Sequence, residues 1–232
     1  MMIDDNRFFT WLREHDPKLS CFFDVGAFKG GWTSRVCKCF PDATYHLFEP
    51  QSLFDSGIRA ALAERKLQHH VIVNECAVGR RRGQAELGIM GEGARGSSLL
   101  IPERQRDELQ LFKVPLICLD DYVAENAIDF IDFMKMDIQG GELNALRGAT
   151  TVLPRTKYLH LETWLVKSYG GQTPSIHEIM SFLRDYDFTP LDFLGQHRTP
   201  SGLLVHVDIV YMNVNHSPFP PHFHRGLLRG GD

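Results

Sequence analysis

Short apolar runs alternate with amphipathic stretches along most of the chain, the sequence form of strand-helix-strand units that build a mostly parallel sheet with helices on both faces. Phe8, Phe9, Trp11 and Leu12 follow Asp4-Asp5 at helical spacing and predict an N-terminal helix within residues 1–19. A strand at Ser20–Val25 runs through a glycine-bearing turn, Gly26–Gly31, into a helix from Trp32 to about Phe40. Next come a strand at Thr44–Phe48, an Ala- and Leu-rich helix from about Ser52 to Lys66, and a strand at His70–Asn74. The Val71-Ile72-Val73 run within it reads as buried on both sheet faces.

Between residues 79 and 113 the rhythm breaks. Gly83, Gly88, Gly91, Gly93 and Gly96 punctuate two strand-like pieces, Ala85–Ile89 and Ser97–Ile101, which predicts an inserted hairpin and loop able to fold over a site. Alternation resumes at Val114–Leu119. A short helix around Asp120–Glu125 follows, with Asp120 and Asp121 as its caps, then a strong strand at Phe130–Ile138 that ends in Gln139-Gly140-Gly141. A helix from Glu142 to about Leu153, a strand at Tyr158–Thr163 and a Pro-led helix at Pro174–Tyr186 precede two runs, Thr189–Phe193 and Leu203–Val214, that read as an antiparallel pair. Residues 215–232 read as a loosely held tail, and no linker divides the chain, so one α/β domain over 1–232 is expected.

Composition narrows the partners. Across 232 residues, 25 Lys plus Arg stand against 29 Asp plus Glu for a net charge of −4, which counts against a nucleic acid held on a basic surface. No apolar stretch is long enough to span a membrane and the start does not resemble a secretory leader, so a cytoplasmic protein without a membrane partner is expected. The five cysteines, Cys21, Cys37, Cys39, Cys76 and Cys118, are odd in number and sit in apolar segments, as reduced core thiols do. Cys37 and Cys39 lack a second pair at finger spacing, and His216, His222 and His224 lie among prolines without a nearby acid, so neither group predicts a metal. A small molecule or glycan is the expected partner; homo-oligomerisation is left open.

The segment FFDVGAFKGG, residues 22–31, ends a strand in Asp24 and turns through Gly26, Ala27, Gly30 and Gly31 into a helix, a geometry that lets backbone approach a nucleotide-type ligand. Twenty-five positions after Asp24, Glu49 closes the next strand in HLFEP, where an acid can accept both hydroxyl protons of a ribose, with Pro50 beside it. A dinucleotide would call for a second glycine two positions after the first, to let backbone touch a pyrophosphate, and that glycine is missing. Asp24 would be unwelcome beside phosphates but suits an ammonium group. Together these favour S-adenosylmethionine (SAM), with its amino-acid end at the turn and its ribose on Glu49.

The chain resembles the FkbM family of SAM-dependent methyltransferases in DVGAFKG, LFEP, NECAVG followed by Gly83, GSSLL, ICLDDYV and MKMDIQGGELNALRGA, six pieces in order across residues 22 to about 163. The resemblance implies a Rossmann-like class I methyltransferase fold of seven strands with the last antiparallel. It also implies that Glu75, Cys76 and Ala77 line the adenine and that the acceptor is a hydroxyl on a sugar, glycan or polyketide-like product. Two positions depart from the pattern: Phe28 stands where Asn is usual, and Gln139 where an acid is usual.

Methyl transfer from a sulfonium is a direct displacement, so the enzyme must align an acceptor, exclude water and handle its proton. Groups at strand carboxyl ends are the candidates: Asp137 beside the sulfonium and acceptor, Glu142 second, then Glu162 and His160, which alternation puts on one face opposite Leu159 and Leu161. Glu162 and Asp137 are compatible with a divalent ion such as magnesium, although none is predicted. Lys135 reads as a buried partner of a carboxylate, Ser98 as an adenine or lid contact, and Trp164, Tyr169, Phe193 and Trp32 as an apolar acceptor wall. A degenerate fold serving as a binding or scaffold module, and a dinucleotide-dependent oxidoreductase, are the competing readings.

Overall fold

The computed structural model describes residues 5–64, 70–90, 94 and 96–219. Seven strands form the main sheet in the order β3-β2-β1-β7-β8-β10-β9. They are β1 (Cys21–Val25), β2 (Thr44–Phe48), β3 (Val71–Asn74), β7 (Ile131–Met136), β8 (Thr156–Trp164), β9 (Phe188–Arg198) and β10 (Leu204–Asn213). Strand β10 is antiparallel to both of its neighbours while β3, β2, β1, β7 and β8 pair in parallel, so β10 alone runs against the sheet. This is the arrangement the resemblance implies.

Alternation buries the central strands on both faces. Phe23, Met134, Leu159 and Ile209 pack with Leu119 and Val123 of α4 (Leu119–Glu125), Leu146 of α5 (Glu142–Leu146) and Leu183 of α6 (Ile176–Arg184). On the other face Phe22, Tyr45, Phe133 and Tyr158 meet Phe8 and Phe9 of α1 (Asp5–His15), Trp32 of α2 (Gly31–Val36) and Leu62 of α3 (Gly57–Glu64). That second face changes character along the strands. Two residues on, each aromatic is followed by a polar group, Asp24 after Phe22, Lys135 after Phe133 and His160 after Tyr158, and there the aromatic layer gives way to a cavity.

Several boundaries moved for local reasons. The helix expected from Ser52 splits into a 3-10 turn at Pro50–Leu53, capped by the Glu49 carboxylate on Gln51 N, and α3, which restarts where Asp55 accepts from Gly57 N. Lys66 lies outside the described residues. Ile72 is not buried, since β3 is an edge strand and leaves it 46% exposed. Helix α5 stops well short of Leu153: the Gly148 carbonyl turns to accept from Asp120 N and the Cys118 thiol, and a Cβ on Gly148 would lie 2.4 Å from the Gly79 carbonyl oxygen. Asp120 does not cap α4; its carboxylate accepts from Thr151 N and Val152 N. Helix α6 begins at a Ser175-Glu178 capping box rather than at Pro174.

The glycine-punctuated segment forms a second sheet in the order β4-β6-β5, with β4 (Ala77–Val78), β5 (Gly83–Ile89) and β6 (Gln110–Ile117). The expected strand at Ser97–Ile101 is reduced to one bridge, Gly88 to Ser98, because the Ser98 hydroxyl turns the chain by accepting from Leu100 N. The start of the tail is held rather than loose: His216 Nε2 lies 2.7 Å from the Pro154 carbonyl oxygen, and Phe219 stacks on Trp11. His222 and His224 lie outside the described residues.

Candidate active site

A cavity of about 940 Å³ opens at the carboxyl ends of β1, β2, β7 and β8, between the glycine turn, the second sheet and the β9-β10 hairpin. Its size is that of a small-molecule or cofactor site. One end is apolar, with Phe48, Cys76, Ala77, Val78 and Leu87; the other is polar, with Lys135, Asp137, His160, Glu162, His197, His206 and Asp208.

The turn after β1 is stitched to the end of β2. Gly26 N and Ala27 N both donate to the Phe48 carbonyl, Phe28 N donates to Glu49 Oε2 at 2.6 Å, and Gly30 N donates to the Ala27 carbonyl. Gly26 has φ +78°, and a Cβ there would sit 2.0 Å from the Asp137 carbonyl oxygen, so only glycine lets β1 and β7 end side by side. Phe28 is also left-handed, at φ 49°, a conformation that Asn accepts with less strain than an aromatic residue does. Because these amides bind within the turn, they are not free to cradle a pyrophosphate.

Glu49 lines the cavity although it is 4% exposed. Burial pushes its carboxyl up, and the amides of Gln51 and Phe28 oppose that. Each of its oxygens accepts one amide and keeps a lone pair, which fits a ribose diol. Pro50, Gly26 and Ala27 also line the wall.

Three expected cofactor contacts are corrected. Asp24 is wholly buried and off the cavity wall: Thr33 Oγ1 donates to one of its oxygens at 2.6 Å and Lys135 Nζ to the other at 3.1 Å. Asp24 is therefore the counter-ion of Lys135, whose ammonium also donates to the Gly26 carbonyl and faces the cavity in its place. Burial opposes that charge, but Asp24 and Asp137 outweigh it and hold Lys135 above its ordinary range. Glu75 pairs with Arg59 instead of lining the adenine end, and Gly30 packs against Leu62 and Ile58 behind the turn while Gly31 reaches the wall.

Among the catalytic candidates, Asp137, His160 and Glu162 share the cavity, whereas Glu142 does not. Fully buried, Glu142 accepts from Ile138 N and Gly140 N and so holds the turn after β7; burial raises its carboxyl to about 7. Gln139, the departure from the family pattern, bridges two acids: its Nε2 donates to Asp137 Oδ1 at 2.9 Å and lies 3.4 Å from both oxygens of Glu162. Tyr169, which is not on the wall, donates to Gln139 Oε1 at 2.7 Å. Ser98 reaches the site, donating to the Gln139 carbonyl. Burial, then Asp137, Glu142 and Asp208, push Glu162 far above the usual carboxylate range. Trp164 and Trp32 line the cavity, but Phe193 points away, 49% exposed on the edge strand.

The sequence reading passed over His197, His206 and Asp208. Strand β10 pairs Asp208 with Glu162 and His206 with Trp164, a register between strands that the sequence alone does not show. Asp208 fits only because Gly195 opposes it, where a Cβ would lie 2.1 Å from its Oδ2.

The strand order, the reversed β10 and a cavity at the switch point beside β1 define a class I methyltransferase fold. Within that class, a family model for the methyltransferase FkbM domain matches residues 24–190, and the chain belongs to that family. The 2-O-methyltransferase NoeI of Sinorhizobium fredii (strain NBRC 101917 / NGR234) is 24% identical over 188 residues, covering 76% of this chain and 74% of NoeI. A solved methyltransferase FkbM from Methylobacillus flagellatus KT superposes with a TM-score of 0.55 at 16% identity, covering 82% of this chain; this chain spans only 43% of that one. TomG from Streptomyces achromogenes, an O-methyltransferase solved with SAM, superposes with a TM-score of 0.54 at 11% identity over 90% of this chain and 78% of its own. At these identities the two structures speak to the fold.

Proposed function

We propose that the protein is a SAM-dependent methyltransferase that methylates a hydroxyl of a small molecule, sugar or glycan, or polyketide-like product in the cytoplasm. The single observation that carries this reading is one cavity with Glu49 at an apolar end and an Asp137-Gln139-Glu162 cluster at a polar end, room for a nucleoside and an acceptor together. The residues fit the cofactor: Glu49 would hold the ribose, Cys76, Ala77, Val78 and Leu87 the adenine, and Lys135 and Asp137 the amino-acid end. When bound, SAM supplies a methyl group on a cationic sulfur.

The chain's own groups do the rest. Asp137 presents a carboxylate where positive charge must be tolerated, and the Gln139 amide links it to the buried Glu162 where a third carboxylate would add repulsion. Trp164 walls the acceptor end. NoeI and TomG carry O-methyltransferase names, which supports oxygen as the methylated atom. The test is transfer of a radiolabelled methyl group from SAM to a panel of p-nitrophenyl glycosides and hydroxylated polyketide fragments. Label in a methyl ether is expected; label recovered on nitrogen or carbon, or a folded protein that does not bind SAM, would overturn the reading, the latter in favour of a scaffold role.

A further inference from the structure

We propose that His206 takes the proton from the acceptor hydroxyl with Glu162 facing its opposite ring nitrogen, an inference that rests on the methyl-transfer reading above. Because β10 runs against the sheet, its first residues lie where the parallel strands end, and His206 thereby reaches the cavity wall. The register sets the ring between Trp164 of β8 and His197 of β9, with centroids 4.8 Å away on each side. His206 Nδ1 is buried without a hydrogen bond among the described residues, and Glu162 Oε1 lies 3.3 Å from it. With both flanks covered and Nδ1 turned to Glu162, Nε2 is the basic ring atom left to the cavity.

The other candidates serve less well. His160 sits four residues deeper along β8 than Trp164, the partner of His206, and is 5% exposed and level with Lys135. Asp137 is engaged by the Gln139 amide and lies 3.7 Å from Lys135, so both of its oxygens already face protein donors. The charged and titratable groups around His206 are Glu162 from β8, Asp137 from the turn after β7, Asp208 on β10 itself and His197 from β9. Burial, and then His197, hold the imidazole below its ordinary range, so it is uncharged and able to accept at neutral pH. Asp137 then favours the imidazolium as it forms.

In the step itself, the hydroxyl proton passes to Nε2 as the oxygen lone pair bonds the methyl carbon and the carbon-sulfur bonding pair stays on sulfur. A methyl ether, S-adenosylhomocysteine and an imidazolium result, and the imidazolium returns its proton to water. His197 and His206 lie beyond residue 190, where the family match ends.

The test uses the full chain carrying nitrogen-15 histidine, saturated with S-adenosylhomocysteine. His206 is expected as the Nδ1-protonated tautomer at pH 7.5, and Glu162→Gln should convert it to a mixture. With a p-nitrophenyl glycoside as probe acceptor, His206→Gln should lower kcat by about 100-fold or more while the dissociation constant for S-adenosylhomocysteine stays within about threefold. Added imidazole should restore part of the turnover of His206→Ala. An Nε2-protonated ring in the saturated wild type, or a His206→Gln variant that raises KM with kcat intact, would overturn the assignment and leave methyl transfer standing. Failure of the folded wild type to bind S-adenosylhomocysteine would instead remove the methyl-transfer reading and this proposal with it.

Discussion

Replacing Glu142 by Gln should remove a pH-dependent penalty on folding. Glu142 is fully buried, its Oε1 accepts the Ile138 and Gly140 amides, and its Oε2 has no hydrogen-bond partner among the described residues. Its folded pKa of about 7 against an ordinary 4.5 means that the native state binds more protons than the unfolded chain between those values. Stability is therefore undiminished below pH 4.5 and falls as pH rises to 7, a loss of about 3 kcal/mol at 1.36 kcal/mol per unit. Glutamine keeps the carbonyl acceptor and cannot ionise. The melting temperature of Glu142→Gln relative to wild type should thus climb by about 10 °C between pH 4.5 and 8, at 2–4 °C per kcal/mol for a chain of this size. The variant's absolute stability at one pH is not the criterion, because its amide NH2 takes the unpartnered place of Oε2. Calorimetric scans across that range decide it: melting curves that move in parallel for the two proteins would refute the reasoning.

Lys135→Met should cost about 3 to 5 kcal/mol, because it leaves the buried Asp24 without its cationic partner, and adding Asp24→Asn should recover much of that loss; urea melts of the double-mutant cycle check it. Gly26→Ala should cost more than about 4 kcal/mol, since its Cβ would meet the Asp137 carbonyl oxygen at a positive φ, and wild-type-like melting would contradict this. Glu49→Gln should weaken S-adenosylhomocysteine binding by about 10- to 100-fold, read by calorimetry, because the amide has a single acceptor oxygen for the Phe28 and Gln51 amides and the ribose together.

Period carried much of the fold. The strand at Thr44–Phe48 and the shared face of His160 and Glu162 follow from alternation alone, because their neighbours must be buried on both sides of the sheet. Period does not say where a helix pauses. The break before Gly57 comes from the Glu49 cap and Asp55, and the end of α5 from a close approach of Gly148 to Gly79, a contact between residues far apart in sequence. The same limit applies at the site. Glu49 was legible from its spacing to the glycine turn, but Asp24 and Lys135 stand in adjacent strands, and only their register shows that each neutralises the other. His206 escaped because its neighbours, Trp164 and His197, come from different strands of the hairpin edge.

The most direct test of the account is calorimetric titration of the purified protein with S-adenosylhomocysteine and, separately, NAD. The account predicts micromolar, one-to-one binding of S-adenosylhomocysteine and none of NAD. Binding of NAD, or of neither compound by a folded sample, would contradict it.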